Sequence, residues 1–156
     1  MNPYQGLLEP IQVQVRPSSL VRMKKGKEQK RRGTRVPAQI SIVDDDPSIR
    51  EATMDLMQSA GFKADAFASA EHFLASPRLL DTDCLILDVR MEGMDGMELQ
   101  RQLRAKGSHI PVIFITAHSD EQVRARALRE GATAFLRKPF SSQELLLAVR
   151  SSLGGV

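Results

Sequence analysis

From residue 38 onward the chain alternates short β-rich runs with stretches in which apolar residues recur every three or four positions. The runs are Gln39 to Val43, Lys63 to Phe67, Asp83 to Leu87, Pro111 to Ile115 and Thr133 to Leu136. Each has the length of a strand and is too short for a helix. The first, third and fourth are apolar almost without interruption, as strands buried on both faces of a parallel sheet are. Between them the helical period is bracketed by start and stop signals. Asp46 is an N-cap with Pro47 at the first helical position, and Ile49, Ala52, Thr53, Leu56, Met57 and Ala60 then share a face up to Gly61. Ser69 caps a second, shorter helix ending before Pro77, and a third runs from Gly96 through Leu99 and Leu103 to Gly107. A fourth starts at Ser119, with Gln122 completing a capping box, and stops at Gly131. The fifth starts at Ser141 with Glu144 in the same relation and continues through Leu145, Ala148 and Val149. Strand and helix alternating five times, joined by right-handed crossovers, predict a doubly wound α/β fold with a five-stranded parallel sheet.

Residues 1 to 37 carry neither period. They hold Pro3, Pro10, Pro17 and Pro37, and charge becomes dense from Met23 to Arg35, so a disordered N-terminal arm precedes one folded domain over residues 38 to 156. The arm has nine Lys or Arg against two Glu, a net of about +7, while the remainder has 13 basic and 17 acidic residues, about −4. The overall +3 therefore belongs to the arm, and the folded part is mildly acidic. No aromatic residue interleaves the basic ones, so nucleic acid is expected to meet this arm only weakly, through phosphates. Met23 is an alternative start of the chain. No apolar run approaches the roughly 18 residues of a membrane span, and the N-terminus lacks the apolar core of a secretory signal. A cytoplasmic protein with no membrane partner is expected. The single cysteine, Cys84, sits inside an apolar run and reads as a small buried hydrophobe.

Chemistry gathers at the strand ends. Asp44, Asp45 and Asp46 follow the first strand, Asp88 the third, Thr116 the fourth and Lys138 the fifth. An open α/β sheet collects its ligands beyond the carboxyl ends of its strands, and in the order 2-1-3-4-5 the first and third strands are neighbours. Two carboxylates about 4 Å apart repel by about 4 kcal/mol at an effective dielectric near 20. Such a cluster needs a cation, and hard oxygen donors without a nearby His or second Cys favour magnesium over zinc. The Lys138 ammonium and the Thr116 hydroxyl suit phosphoryl oxygens. A carboxylate facing metal, ammonium and hydroxyl can attack phosphorus to give an acyl phosphate, which makes Asp88 the candidate nucleophile. Asp46 reads as a helix cap.

Four segments carry a family resemblance: Ile42-Val-Asp-Asp-Asp-Pro-Ser-Ile-Arg50, Leu85-Ile-Leu-Asp-Val-Arg-Met-Glu-Gly-Met-Asp-Gly-Met-Glu-Leu99, Val112-Ile-Phe-Ile-Thr-Ala117 and Gly131-Ala-Thr-Ala-Phe-Leu-Arg-Lys-Pro-Phe140. In this order they closely resemble the receiver domain of two-component response regulators, nearest in wording to the FixJ type, over about Ala38 to Leu153. The resemblance implies a flavodoxin-like sheet and a phosphoacceptor at Asp88. Asp45 and the backbone carbonyl of Arg90 would join Asp88 on magnesium, with Asp44 holding a metal-bound water. Lys138 would bind the phosphoryl group, its loop set by a cis bond to Pro139. Thr116 and Phe135 would be a switch pair that alters the face built from the fourth helix, fifth strand and fifth helix. Arg90 and His118, two residues beyond Asp88 and Thr116, bear on phosphoryl lifetime. One departure is visible: Glu92 stands where the family usually has Pro.

The resemblance further implies a signalling receiver rather than an enzyme, one that assists its own phosphorylation and dephosphorylation. Its partner would be a sensor histidine kinase or phosphotransfer protein, and phosphorylation-dependent homodimers are a further expectation. Because the chain stops at Val156, a stand-alone receiver is expected, or a receiver fragment of a FixJ-like transcriptional regulator without its DNA-binding domain. A competing reading is a haloacid-dehalogenase-type phosphatase, whose Asp-x-Asp motif Asp44-Asp-Asp46 imitates. That family also carries an acidic pair after its lysine, and here only Glu144 follows Lys138.

Overall fold

Side chains alternate across each strand, and this decides which residues meet on which side of the sheet. In the computed structural model, which describes residues 37–118 and 120–154, five strands pair in parallel in the order β2-β1-β3-β4-β5. They are β1 (Gln39–Val43), β2 (Lys63–Phe67), β3 (Cys84–Asp88), β4 (Val112–Thr116) and β5 (Ala134–Arg137). The arm up to residue 36, read as disordered from the sequence, lies outside the described residues. Ile40, Ile42, Cys84, Ile86, Ile113 and Ile115 face one side, and Val43, Leu85, Leu87, Val112 and Phe114 the other. Both sides are covered, which is why β1, β3 and β4 are buried along their whole length.

The helices are α1 (Pro47–Ser59), α2 (Ala70–Ala75), α3 (Arg78–Asp81), α4 (Gly96–Ala105), α5 (Glu121–Arg129) and α6 (Ser142–Ser152). Met57 of α1 and Leu145, Ala148 and Val149 of α6 fill the isoleucine side. Ala70 and Phe73 of α2, Met97, Leu99 and Leu103 of α4 and Ala127 of α5 fill the other. Burying a side chain such as Phe73 or Phe114, each fully inaccessible, contributes about 2–3 kcal/mol. No helix among the described residues is long and apolar enough to cross a membrane.

Three details differ from the pattern read in the sequence. The third, fourth and fifth strands each begin and end one residue later than their apolar runs. Ladder hydrogen bonds use the backbone, so pairing continues through the polar Asp88 and Thr116, while Pro111 has no N–H to donate. The fourth helix begins at Glu121 and is capped by Asp120, whose carboxylate accepts from Gln122 N (3.0 Å) and Val123 N (3.2 Å). Ser119, expected to be that cap, lies outside the described residues. A sixth helix, α3, follows Pro77: Ser76 Oγ accepts from Arg78 N at 3.0 Å and Thr82 Oγ1 donates to Arg78 O at 2.6 Å. Four residues are too few to show a period. With α3 numbered, the fourth and fifth helices of the sequence reading are α5 and α6. The capping box of α6 forms as expected, with both Ser141 and Glu144 bonded to the opposing backbone N–H.

At the end of the sheet away from the acidic rim, Arg104 of α4 binds three backbone carbonyls, Ser108 O (3.2 Å), Ile110 O (3.0 Å) and Gly131 O (3.1 Å). One guanidinium thus joins the chain entering β4 to the chain leaving α5.

The opposite end of α4 is set by Gly96, where a Cβ would overlap the backbone oxygen of Asp88 and lie 3.0 Å from the Phe114 ring. Helix propensity alone makes Gly96→Ala stabilising by up to about 1 kcal/mol. The steric contact is expected to reverse the sign, with a loss of about 1–3 kcal/mol in urea denaturation.

Candidate functional site

Register brings the acids to one level. Val43 of β1 lies opposite Leu87 of β3, so the next residues, Asp44 and Asp88, stand side by side at the strand ends. Carboxylate oxygens of Asp44, Asp45 and Asp88 all lie within 4.8 Å of one another. Asp44 is 0% and Asp88 6% exposed, while Asp45 is exposed. Asp46 turns away and caps α1, accepting from Ser48 N at 2.9 Å and Ile49 N at 3.4 Å. Asp44 Oδ1 accepts from Asp46 N at 2.9 Å, and Arg50, one turn into α1, donates to the Asp44 carbonyl at 2.8 Å. The other oxygen, Asp44 Oδ2, is buried with no hydrogen-bond partner and faces Lys138 Nζ at 3.6 Å.

Removal from water and the negative charges of Asp44 and, less strongly, Asp45 push the Asp88 carboxyl up to about 6. The Lys138 ammonium and a hydrogen bond from the backbone N–H of Arg90 pull the other way without prevailing. The three carboxylates are therefore held against their own repulsion. Every donor in the group is a hard oxygen, two of the three acids are buried, and Asp44 Oδ2 lacks a hydrogen-bond donor. That donor set fits a small divalent cation such as magnesium.

Of the remaining predicted residues, Thr116 and Lys138 lie on the same rim. Thr116 ends β4 at 2% exposure, and its Oγ1 accepts from His118 N at 3.1 Å. Its carbonyl accepts from Lys138 N at 2.7 Å, which ties the β5 loop to β4. The Lys138–Pro139 bond is cis. Phe135 is half-buried, its ring centroid 6.1 Å from that of Phe114. The side chains of Arg90, Glu92 and His118 are exposed, and Cys84 is buried at the start of β3. Sequence reasoning missed Arg50, because a bond from a helical side chain back to a carbonyl six residues earlier has no local signature.

Residues 40–150 match the family described as the response regulator receiver domain. The response regulator protein TodT of Pseudomonas putida is 44% identical over 114 residues, 73% of this chain and 50% of that protein. The transcriptional regulatory protein FixJ of Azorhizobium caulinodans is 40% identical over 115 residues, 74% of this chain and 54% of that protein. The chain spans about half the length of these curated relatives. Among solved structures, the response regulator StyR superposes with a TM-score of 0.71 at 45% identity, over 76% of this chain and 60% of that one. The structure titled FixJ-N gives 0.69 at 32% identity, over 76% and 95%. With four strand-end motifs, the 2-1-3-4-5 sheet and relatives at these identities in agreement, the chain belongs to the receiver domain family of two-component response regulators.

Proposed function

We propose that this receiver accepts a phosphoryl group on Asp88 from a sensor histidine kinase or phosphotransfer protein, in a magnesium-dependent reaction. The observation that carries the reading is the meeting of three carboxylates from adjacent strand ends with the Lys138 ammonium on one rim. Asp45, Asp88 and the Arg90 carbonyl would hold the metal directly and Asp44 through water. When bound, magnesium supplies positive charge that offsets carboxylate repulsion and screens the entering phosphoryl oxygens.

A carboxylate oxygen of Asp88 forms the new O–P bond as the N–P bond of the donor phosphohistidine breaks, and the imidazole keeps the electron pair and takes up a proton. Lys138, already directed at the acids, neutralises a phosphoryl oxygen. Thr116 Oγ1 accepts a hydrogen bond from His118 N, which leaves its own proton free to donate to another oxygen. As Thr116 moves inward, the half-buried ring of Phe135 follows into the vacated space, and the face formed by α5, β5 and α6 changes its preference for partners. A second copy of the chain is one such partner. The family match displaces the phosphatase reading, and its proposed nucleophile, Asp44, is fully buried with Oδ1 bonded to Asp46 N.

We assign residues 38–156 to the receiver unit and residues 1–37 to a basic arm, and place the protein in the cytoplasm, where its kinase's phosphohistidine is formed. A mobility-shift assay across a salt series, with and without residues 1–37, tests whether the arm touches nucleic acid.

Incubation with magnesium and acetyl phosphate is expected to add one labile phosphoryl group, located on Asp88 by mass spectrometry. Asp88→Asn should abolish the modification, and Lys138→Ala should slow it by roughly 10²-fold. Full labelling of Asp88→Asn at another site would sink the reading.

Stability gives an independent measurement. The folded state holds the Asp88 proton up to about pH 6, whereas the unfolded chain releases it near pH 4. Without metal, this group's contribution is therefore present at low pH and is lost as pH rises through 6, by roughly 3 kcal/mol. Metal-free Asp88→Asn should accordingly gain on the wild type by about 1–3 kcal/mol in urea denaturation between pH 4 and 7.5. Saturating magnesium should narrow that gap.

A further inference from the structure

The loop that carries Arg90, between β3 and α4, is closed at its base by Gly96 N donating to Val89 O at 2.9 Å and at its helical end by the Asp95 cap on Glu98 N at 2.8 Å. No proline stiffens residues 89–96. Its tip meets a different element. Met94 N donates to Glu71 Oε2 at 3.0 Å, across 23 residues of sequence. Gly93 has φ +76, and a Cβ there would lie 3.0 Å from the same Glu71 oxygen, so the glycine lets the loop turn close beneath the carboxylate.

Glu71 stands on a fixed base. Ser69 caps α2 by accepting from His72 N at 3.1 Å. Phe73 is fully buried and meets Phe67 edge-on with centroids 5.4 Å apart. β2, which leads into α2, pairs with β1, and Asp44 N donates to Phe67 O at 3.2 Å. The strand bearing Asp44 and the helix bearing Glu71 are thus joined, and Glu71 reaches across to the loop that offers the Arg90 carbonyl. Hydrogen bonds from its own N–H and from Met94 N hold its carboxyl below the usual value, so the strap is charged at neutral pH.

We propose that Glu71 is a positioning residue for the metal site: by binding Met94 N it restricts the β3–α4 loop to conformations that present the Arg90 carbonyl to the cation. The inference rests on the assignment of that carbonyl as a magnesium ligand. A loop released at its tip samples further conformations, and apparent affinity falls in proportion to the fraction that remains competent. The residue touches neither phosphorus nor metal, and its effect passes through Met94.

Calorimetric titration of the full chain with magnesium chloride tests this. Glu71→Ala should weaken magnesium binding by roughly fivefold or more, whereas Glu71→Gln, which keeps an acceptor oxygen, should restore it to within about twofold. The amide of Met94 should lose exchange protection in Glu71→Ala and regain it in Glu71→Gln. Metal-free melting temperatures should stay alike, because Glu71 is exposed. Equal weakening in both variants would assign the effect to charge alone and overturn the proposal. Unchanged affinity in Glu71→Ala, or a loss matched by lower metal-free stability, would overturn it as well. A wild type that binds no magnesium would instead remove the metal assignment on which the strap depends.

Discussion

The register between two parallel strands imposes the central constraint on this molecule. Because Val43 is locked opposite Leu87, the backbones that carry Asp44 and Asp88 cannot separate without breaking the most buried part of the sheet. Their repulsion is paid by the apolar core beneath them, in which the side chains of Ile40, Ile42, Leu85, Leu87 and Phe114 are wholly inaccessible. A less rigid scaffold would relax the conflict by letting an acid swing into water. Here Asp44 is also held by Arg50 and by Asp46 N, so the negative charge stays concentrated and a cation can relieve it.

The fold was largely legible in the chain because its two periods are unambiguous. Asp46-Pro47, Ser69 and the Ser141/Glu144 pair mark helix starts by local chemistry, and those starts stand in the structure. What the pattern misplaced were elements whose limits depend on something other than apolarity. The last residues of β3 and β4 are an acid and a hydroxyl that pair through their backbones, and α3 is a single turn made by Ser76 and Thr82. The start of α5 falls to Asp120, because its carboxylate reaches two N–H groups.

The site was legible for a different reason. Asp44, Asp45, Asp88, Thr116 and Lys138 each sit at a strand end, where topology alone predicts convergence. Arg50 and Glu71 escaped notice because their side chains act on backbone groups of other elements. An arginine or glutamate on an exposed helical turn has the same local sequence whether it touches solvent or steadies a loop. Gly96 is similar: the sequence marks it only as the start of a helix, whereas the structure shows α4 lying against the Asp88 backbone there.

Arg104 lies at the far end of the sheet from this chemistry, yet it bears on how the two crossovers hold together. By gripping carbonyls on both the approach to β4 and the exit from α5, it behaves as a rivet through two otherwise independent crossovers. The exit from α5 and the approach to β4 are thereby anchored to one helix, α4. Because all three bonds share a single side chain, loss of that guanidinium would unfasten both connections together.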